Sequence, residues 1–112
     1  MQLFVTVLQD VQLLNELLEK MNKAGFTGAT VLESRGMAGI LVNEDTPMFG
    51  FLRSMRDEIR TESRTVFVVT EDSRVKELRG IVNEVTGGME KPNNGIMFAV
   101  PVAFAEGLAE EK

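Results

Sequence analysis

Apolar and polar positions divide the chain into four short runs and two helical stripes. Residues 3–8 (LFVTVL), about 28–34, 65–70 (TVFVVT) and 95–102 (GIMFAVPV) are rich in β-branched and apolar residues and bounded by turn formers, which predicts strands. Between the first two, Val11, Leu14, Leu17, Leu18 and Met21 recur on one helical face. Asp10 suits the N-cap, Lys20 and Lys23 suit the last turn, and Gly25 suits the stop. Between the last two, Val75, Leu78, Ile81, Val82 and Val85 repeat the spacing, with Asp72 or Ser73 as cap and Gly87-Gly88 as the end.

The middle of the chain is less regular. Ile40 to Val42 reads as a short strand and residues 43–45 as a turn. Thr46-Pro47 is a helix start, a threonine cap with proline at the first position. Met48, Phe49, Leu52 and Met55 then form the apolar stripe of a short helix over about 47–57, followed by a charged loop to residue 64. Residues 89–94 form a turn-rich loop containing Pro92-Asn93-Asn94, and the tail from residue 103 ends in AEEK.

The order is β-α-β, insertion, β-α-β in one domain spanning 1–112, and the halves echo each other: Phe4 with Phe67, Val11 with Val75, Leu14 with Leu78. This predicts an α+β fold of the ferredoxin-like split β-α-β plan, a four-stranded antiparallel sheet with both helices on one face. Alternation then exposes a problem. Leu3, Val5 and Val7 point away from Phe4, Thr6 and Leu8, while Ile96, Phe98 and Val100 point away from Met97 and Ala99. Both faces are largely apolar, and two helices can cover one. A monomer usually exposes no apolar patch beyond a few hundred Å2. The second face is therefore expected to be covered by the 47–57 helix, the tail or another copy of the chain, and self-association is favoured.

Composition removes several chemistries. The 112 residues include no cysteine and no histidine, so disulfides, thiolate or imidazole metal sites, cysteine nucleophiles and histidine bases are absent. No metal site is expected. The net charge of −5 disfavours nucleic acid and anionic membrane as partners. No apolar run reaches bilayer length, so no membrane insertion is expected. MQLFVTVLQD lacks the basic region and cleavage site of a secretory signal, which makes a cytoplasmic location the expectation.

The segment AGFTGATVLESRGMAG, the strand TVFVVTED and the run NNGIMFAVPV, in this order and spacing, resemble the PII-like proteins of the nitrogen-regulatory PII superfamily. The resemblance covers nearly the whole chain outside 40–63. It implies a homotrimer with sheets packed around a threefold axis. It also implies a regulatory role, with a small-molecule effector, an adenine nucleotide in many members, held in clefts between subunits, and a target protein met by the long loop, here 35–63. Carried over by position, Val7, Thr30, Gly36, Met37, Val68, Asn94 and Gly95 would line the cleft, with backbone N–H groups near Gly36 and Asn94-Gly95 facing phosphate or carboxylate oxygens. The family's Gly-Asp-Gly-Lys loop reads here as Asn93-Asn94-Gly95-Ile96, so isoleucine replaces the phosphate-binding lysine. The arginines that follow the last strand in nucleotide-binding members are missing from 103–112, and no tyrosine exists to be uridylylated. Lys91, Arg35 and Arg53 are the candidate substitutes for those cations.

Plainer readings stand beside these. Thr30 and Gly36 are a strand residue and a loop glycine, Gly87-Gly88 is a helix cap, and Asn93-Asn94-Gly95 is a turn before it is an anion nest. Arg53, Arg56 and Arg60, with Arg64 beyond, could form an anion site but read first as a solvated helix face offset by Asp57, Glu58 and Glu62, and Glu44-Asp45 and Glu71-Asp72 read as turns and caps rather than acid–base pairs. Met37, Met48 and Met55 near the insertion could form an adaptable contact surface. The function expected is a regulatory binding module with no catalytic residues. The alternative is a small oligomeric isomerase-type enzyme in the same cleft, and an RNA-binding domain is a third reading that the acidic charge opposes.

Overall fold

A computed structural model of the chain describes residues 1–41 and 61–108. Its four strands are β1 (Gln2–Leu8), β2 (Thr30–Ser34), β3 (Ser63–Thr70) and β4 (Gly95–Pro101). Three α-helices join them: α1 (Leu14–Lys23), α2 (Met37–Leu41) and α3 (Val75–Thr86). The strands form one sheet in the order β2-β3-β1-β4, with every neighbouring pair antiparallel. The fold is thus α+β with a four-stranded antiparallel sheet.

One sheet face carries the core. Phe4 and Leu8 of β1 and Val66 and Val68 of β3 are buried with Leu17 and Met21 of α1 and Leu78, Val82 and Val85 of α3. These are the alternate positions of two central strands and the spaced positions of two helices, as the period-2 and period-3.6 patterns require.

The end of α1 is locked by its own sequence. Gly25 adopts φ 96°, its N–H donates to the Asn22 carbonyl at 3.0 Å, and the Phe26 N–H donates to the Met21 carbonyl at 2.9 Å. This is a Schellman motif, completed by the buried Phe26 and Met21 side chains. Arg74 lies 3.9 Å above the Phe26 ring and donates to the Ala24 carbonyl at 2.6 Å, so the start of α3 is tied to the end of α1. Lys20 and Glu84 pair at 2.8 Å further along the same two helices.

Several boundaries differ from the sequence reading. Ile40 and Leu41 belong to α2, not to a strand, because Gly36 accepts the Ile40 N–H at 3.1 Å and opens a helical turn. β3 begins at Ser63 inside the expected charged loop; cross-strand pairing of Ser63 with Ser34 and Arg64 with Glu33 outweighs its polarity. Helix α1 follows a 3-10 turn over Val11–Leu13, where Asp10 accepts the Gln12 N–H at 3.1 Å. Asp72 opens a similar turn over Asp72–Arg74, and its carboxylate meets the Met1 amine at 2.9 Å instead of capping the helix. That amine holds the Asp72 carboxyl below its ordinary range, while Asp72 raises the amine above its ordinary 8.0. The clip is therefore complete between the ordinary carboxylate and amine values; it weakens as pH falls through the lowered value or rises through the raised one. The expected 47–57 helix lies outside the described residues, as do Arg53, Arg56, Arg60, Glu44, Asp45, Met48 and Met55.

Thr70 is buried, and its hydroxyl has no hydrogen-bond partner among the described residues. An unpaired buried hydroxyl costs about 1–3 kcal/mol. Thr70→Val should therefore raise stability by about 1 kcal/mol in chemical denaturation, and a loss of stability would show that the hydroxyl is satisfied in solution.

Candidate functional site

The sheet face opposite the helices gathers Leu3, Val5 and Val7 from β1, Phe67 and Val69 from β3, Leu32 from β2, and Ile96, Phe98 and Val100 from β4. The register sets Val5 beside both Phe67 and Phe98, and Leu3 beside both Val69 and Val100. The centre is half-buried by its own neighbours, whereas Leu32 is 49% exposed, Ile96 55% and Phe98 46%. Four strands of about seven residues give a flat projection on the order of 400 Å2. That equals the largest apolar patch of a typical monomer and is about half of what one partner contributes to a stable interface.

A polar corner interrupts this surface where β2 ends and β3 begins. The Ser34 hydroxyl lies 2.7 Å from that of Ser63 and 2.9 Å from that of Thr65. The register places all three on the open face, beside Leu32.

The residues suggested by the sequence fall into two groups, one where β1 meets β4 and one at the β2 edge. Val7 pairs with Thr65 and Ile96, and Gly95 lies opposite Leu8, so Val7, Asn94 and Gly95 meet at the β1–β4 end. Thr30, Gly36 and Met37 belong to the β2 edge, with Met37 76% exposed at the start of α2. β3 separates the groups, a gap of roughly 10 Å across two strand spacings. Val68 joins neither: its side chain is 4% exposed in the core beneath the helices, on the opposite side of the sheet from Val7 and Thr30.

Asn94 and Gly95 have demanding structural duties. The Asn94 side-chain amide donates to the carbonyls of Thr86 at 3.1 Å and Gly88 at 2.6 Å, closing the end of α3 after Gly87 turns left-handed at φ 80°. Gly95 has φ 117°, and a Cβ there would stand 1.8 Å from the Val7 carbonyl oxygen. Sequence spacing showed the turn but not this contact, which depends on the β1–β4 register. The nearest loop cation, Lys91, stands beside Gly87: its Nζ would lie 3.8 Å from a Cβ placed there.

At the other edge lies a cavity of about 310 Å3 lined by Glu33, Ser34, Arg35, Glu62 and Arg64. The sequence reading weighed Arg35 and Arg64 as anion contacts and Glu62 as an offsetting charge, but not together with Glu33, since the four converge only when β2 pairs with β3. A separate groove between α3 and β4, about 280 Å3, is lined by Phe4, Val75, Arg79, Met97, Phe98 and Ala99. No metal-binding cluster of acidic residues occurs among the described residues, and no described helix is long and apolar enough to cross a membrane.

Gly95→Ala must either displace β4 from β1 or abandon its left-handed backbone. It should cost more than about 2 kcal/mol in denaturation. A near-neutral result would show that β4 does not approach Val7 as described.

No family model matches the chain, and no curated protein matches it.

Proposed function

We propose that this chain is a homotrimeric PII-like regulatory protein that holds a small molecule in clefts between subunits and signals through the 35–63 segment. The ferredoxin-like split plan is supported by the strand order β2-β3-β1-β4 and by the pairing of the two helices over one face. The observation that carries the reading is the division of the cleft residues between two edges of one sheet. Within a single chain, Val7, Asn94 and Gly95 stay apart from Thr30, Gly36 and Met37, with β3 between them. Two copies arranged head to tail bring the β4 edge of one against the β2 edge of the next. A ring of such contacts closes naturally as a cyclic oligomer. The open apolar faces then turn inward, and the edges add the area that about 400 Å2 of face lacks.

Sedimentation at low micromolar concentration should give a trimer. Phe98→Glu, at an exposed position on that face, should release folded monomers. A well-folded wild-type monomer would overturn the trimer and its clefts together.

Among AMP, ADP, ATP and cyclic nucleotides at millimolar concentration, at least one should raise the melting temperature. A ligand a hundredfold above its Kd stabilises the native state by about 2.7 kcal/mol, an easily read shift for a domain of this size. No shift with any of them would remove the nucleotide while leaving the oligomer intact.

A further inference from the structure

We infer that the cavity between the end of β2 and the start of β3 is a binding site for a small zwitterion of the amino-acid class. Among the described residues it is lined by Glu33, Ser34, Arg35, Glu62 and Arg64. Two arginines and two glutamates thus line about 310 Å3 of space, and the formal charges of these four residues cancel. Neighbouring charges of this kind ordinarily neutralise one another by direct pairing. Here none of the four makes an ion pair with another described residue.

Strand register explains the separation. Glu33 stands directly across from Arg64, on the sheet face that the helices share, yet the Arg64 guanidinium turns to donate to the Ser63 carbonyl at 2.9 Å. Arg35 and Glu62 stand one step beyond the paired ends of β2 and β3, where the Ser34–Ser63 pair closes the ladder. The Ser34 hydroxyl is taken up on the open face by the hydroxyls of Ser63 and Thr65, so Ser34 adds no charge to the lining.

Such a lining selects by charge pattern. Arginine presents a planar fork that takes a carboxylate through two parallel hydrogen bonds, and a carboxylate takes an ammonium through charge-assisted ones. A molecule carrying both groups satisfies both halves of the wall. A polyphosphate meets Glu33 and Glu62 as well as the arginines, and a simple cation meets the arginines. The volume suits a molecule of amino-acid size rather than a nucleotide, at the small end of ligand pockets. The site lies within one chain and does not rest on the clefts proposed between chains, so a monomeric protein would leave it standing.

The test is amide chemical-shift mapping on the full chain with glycine, L-alanine and L-glutamine, against acetate and methylamine as the separated halves of glycine and against inorganic phosphate. The expected result is saturable shifts centred on residues 33–35 and 62–64 with at least one amino acid, and at least about tenfold weaker binding of each half. Arg35→Gln and Glu62→Gln, both at exposed or partly exposed positions outside the strands, should each weaken the amino acid about tenfold with the remaining spectrum preserved. Three outcomes would overturn the inference. These are no saturable shift with any amino acid up to about 50 mM, acetate or phosphate equalling the amino acid, or shifts that map elsewhere.

Discussion

Two helices can cover one face of a four-stranded sheet, and this chain has built both faces from apolar residues. That mismatch governs the molecule. On the helix side it gives a complete core in which Phe4, Leu8, Val66 and Val68 meet Leu17, Met21, Leu78 and Val82. On the other side the same strands present Val5, Phe67 and Phe98 in one cross-strand row with no described helix over them. A half-solvated antiparallel sheet ordinarily alternates apolar with polar. The exceptions here are Thr30 and the hydroxyls of Ser34, Ser63 and Thr65, the last three satisfying one another at one corner. An apolar field with a self-satisfied polar corner is a surface fitted to contact.

The sheet and its two long helices were legible because each uses a strong local signal. Period-2 runs marked β1, β3 and β4, and spaced leucines and valines marked α1 and α3. Gly25 was legible as a stop, but the weight carried by Phe26 was not. Its role comes from Arg74, which lies 48 residues away and reaches it only once the helices pack. The strand expected at Ile40 failed for a related reason. A short apolar run fits either geometry, and here the carbonyl of Gly36 starts a helical turn that pattern alone could not foresee. The start of β3 was hidden because Ser63 and Arg64 look like loop residues until β2 pairs with them.

The candidate site was legible only as a set of positions. The resemblance, carried over by position, implied Val7, Thr30, Gly36, Met37, Val68, Asn94 and Gly95, and the sheet sorts them into two groups and one core residue. The sorting separates structural duty from exposure. Gly95 is required by the Val7 carbonyl, and the Asn94 amide is occupied by two backbone carbonyls. What those residues offer a ligand is therefore backbone shape, not side-chain chemistry. Thr30, Gly36 and Met37 carry no such obligations beyond the ladder and the first turn of α2, and they are exposed. Any cleft uniting the two groups draws its fixed wall from one edge and its adaptable wall from the other.

The placement of charge bears on what such walls can hold. A triphosphate needs several fixed cations, since charge-assisted contacts are the strong ones. Near the β4 loop stand Lys91 and Arg79, which shares a cavity with Glu90, Gly95 and Ile96, while Ile96 follows Gly95 and residues 103–108 contain no basic residue. Arg35 and Arg64 sit at the other edge, each with a carboxylate in the same cavity. A polyanion drawn to those arginines would also meet Glu33 and Glu62, whereas a ligand with one negative and one positive group would meet complementary charge on both sides. At comparable distances the two carboxylates offset the two guanidiniums for a ligand of a single sign, so net attraction is small unless the ligand itself carries both. Charge pattern, more than cavity size, is therefore what sets the β2–β3 end of this sheet apart from a site for a polyanion.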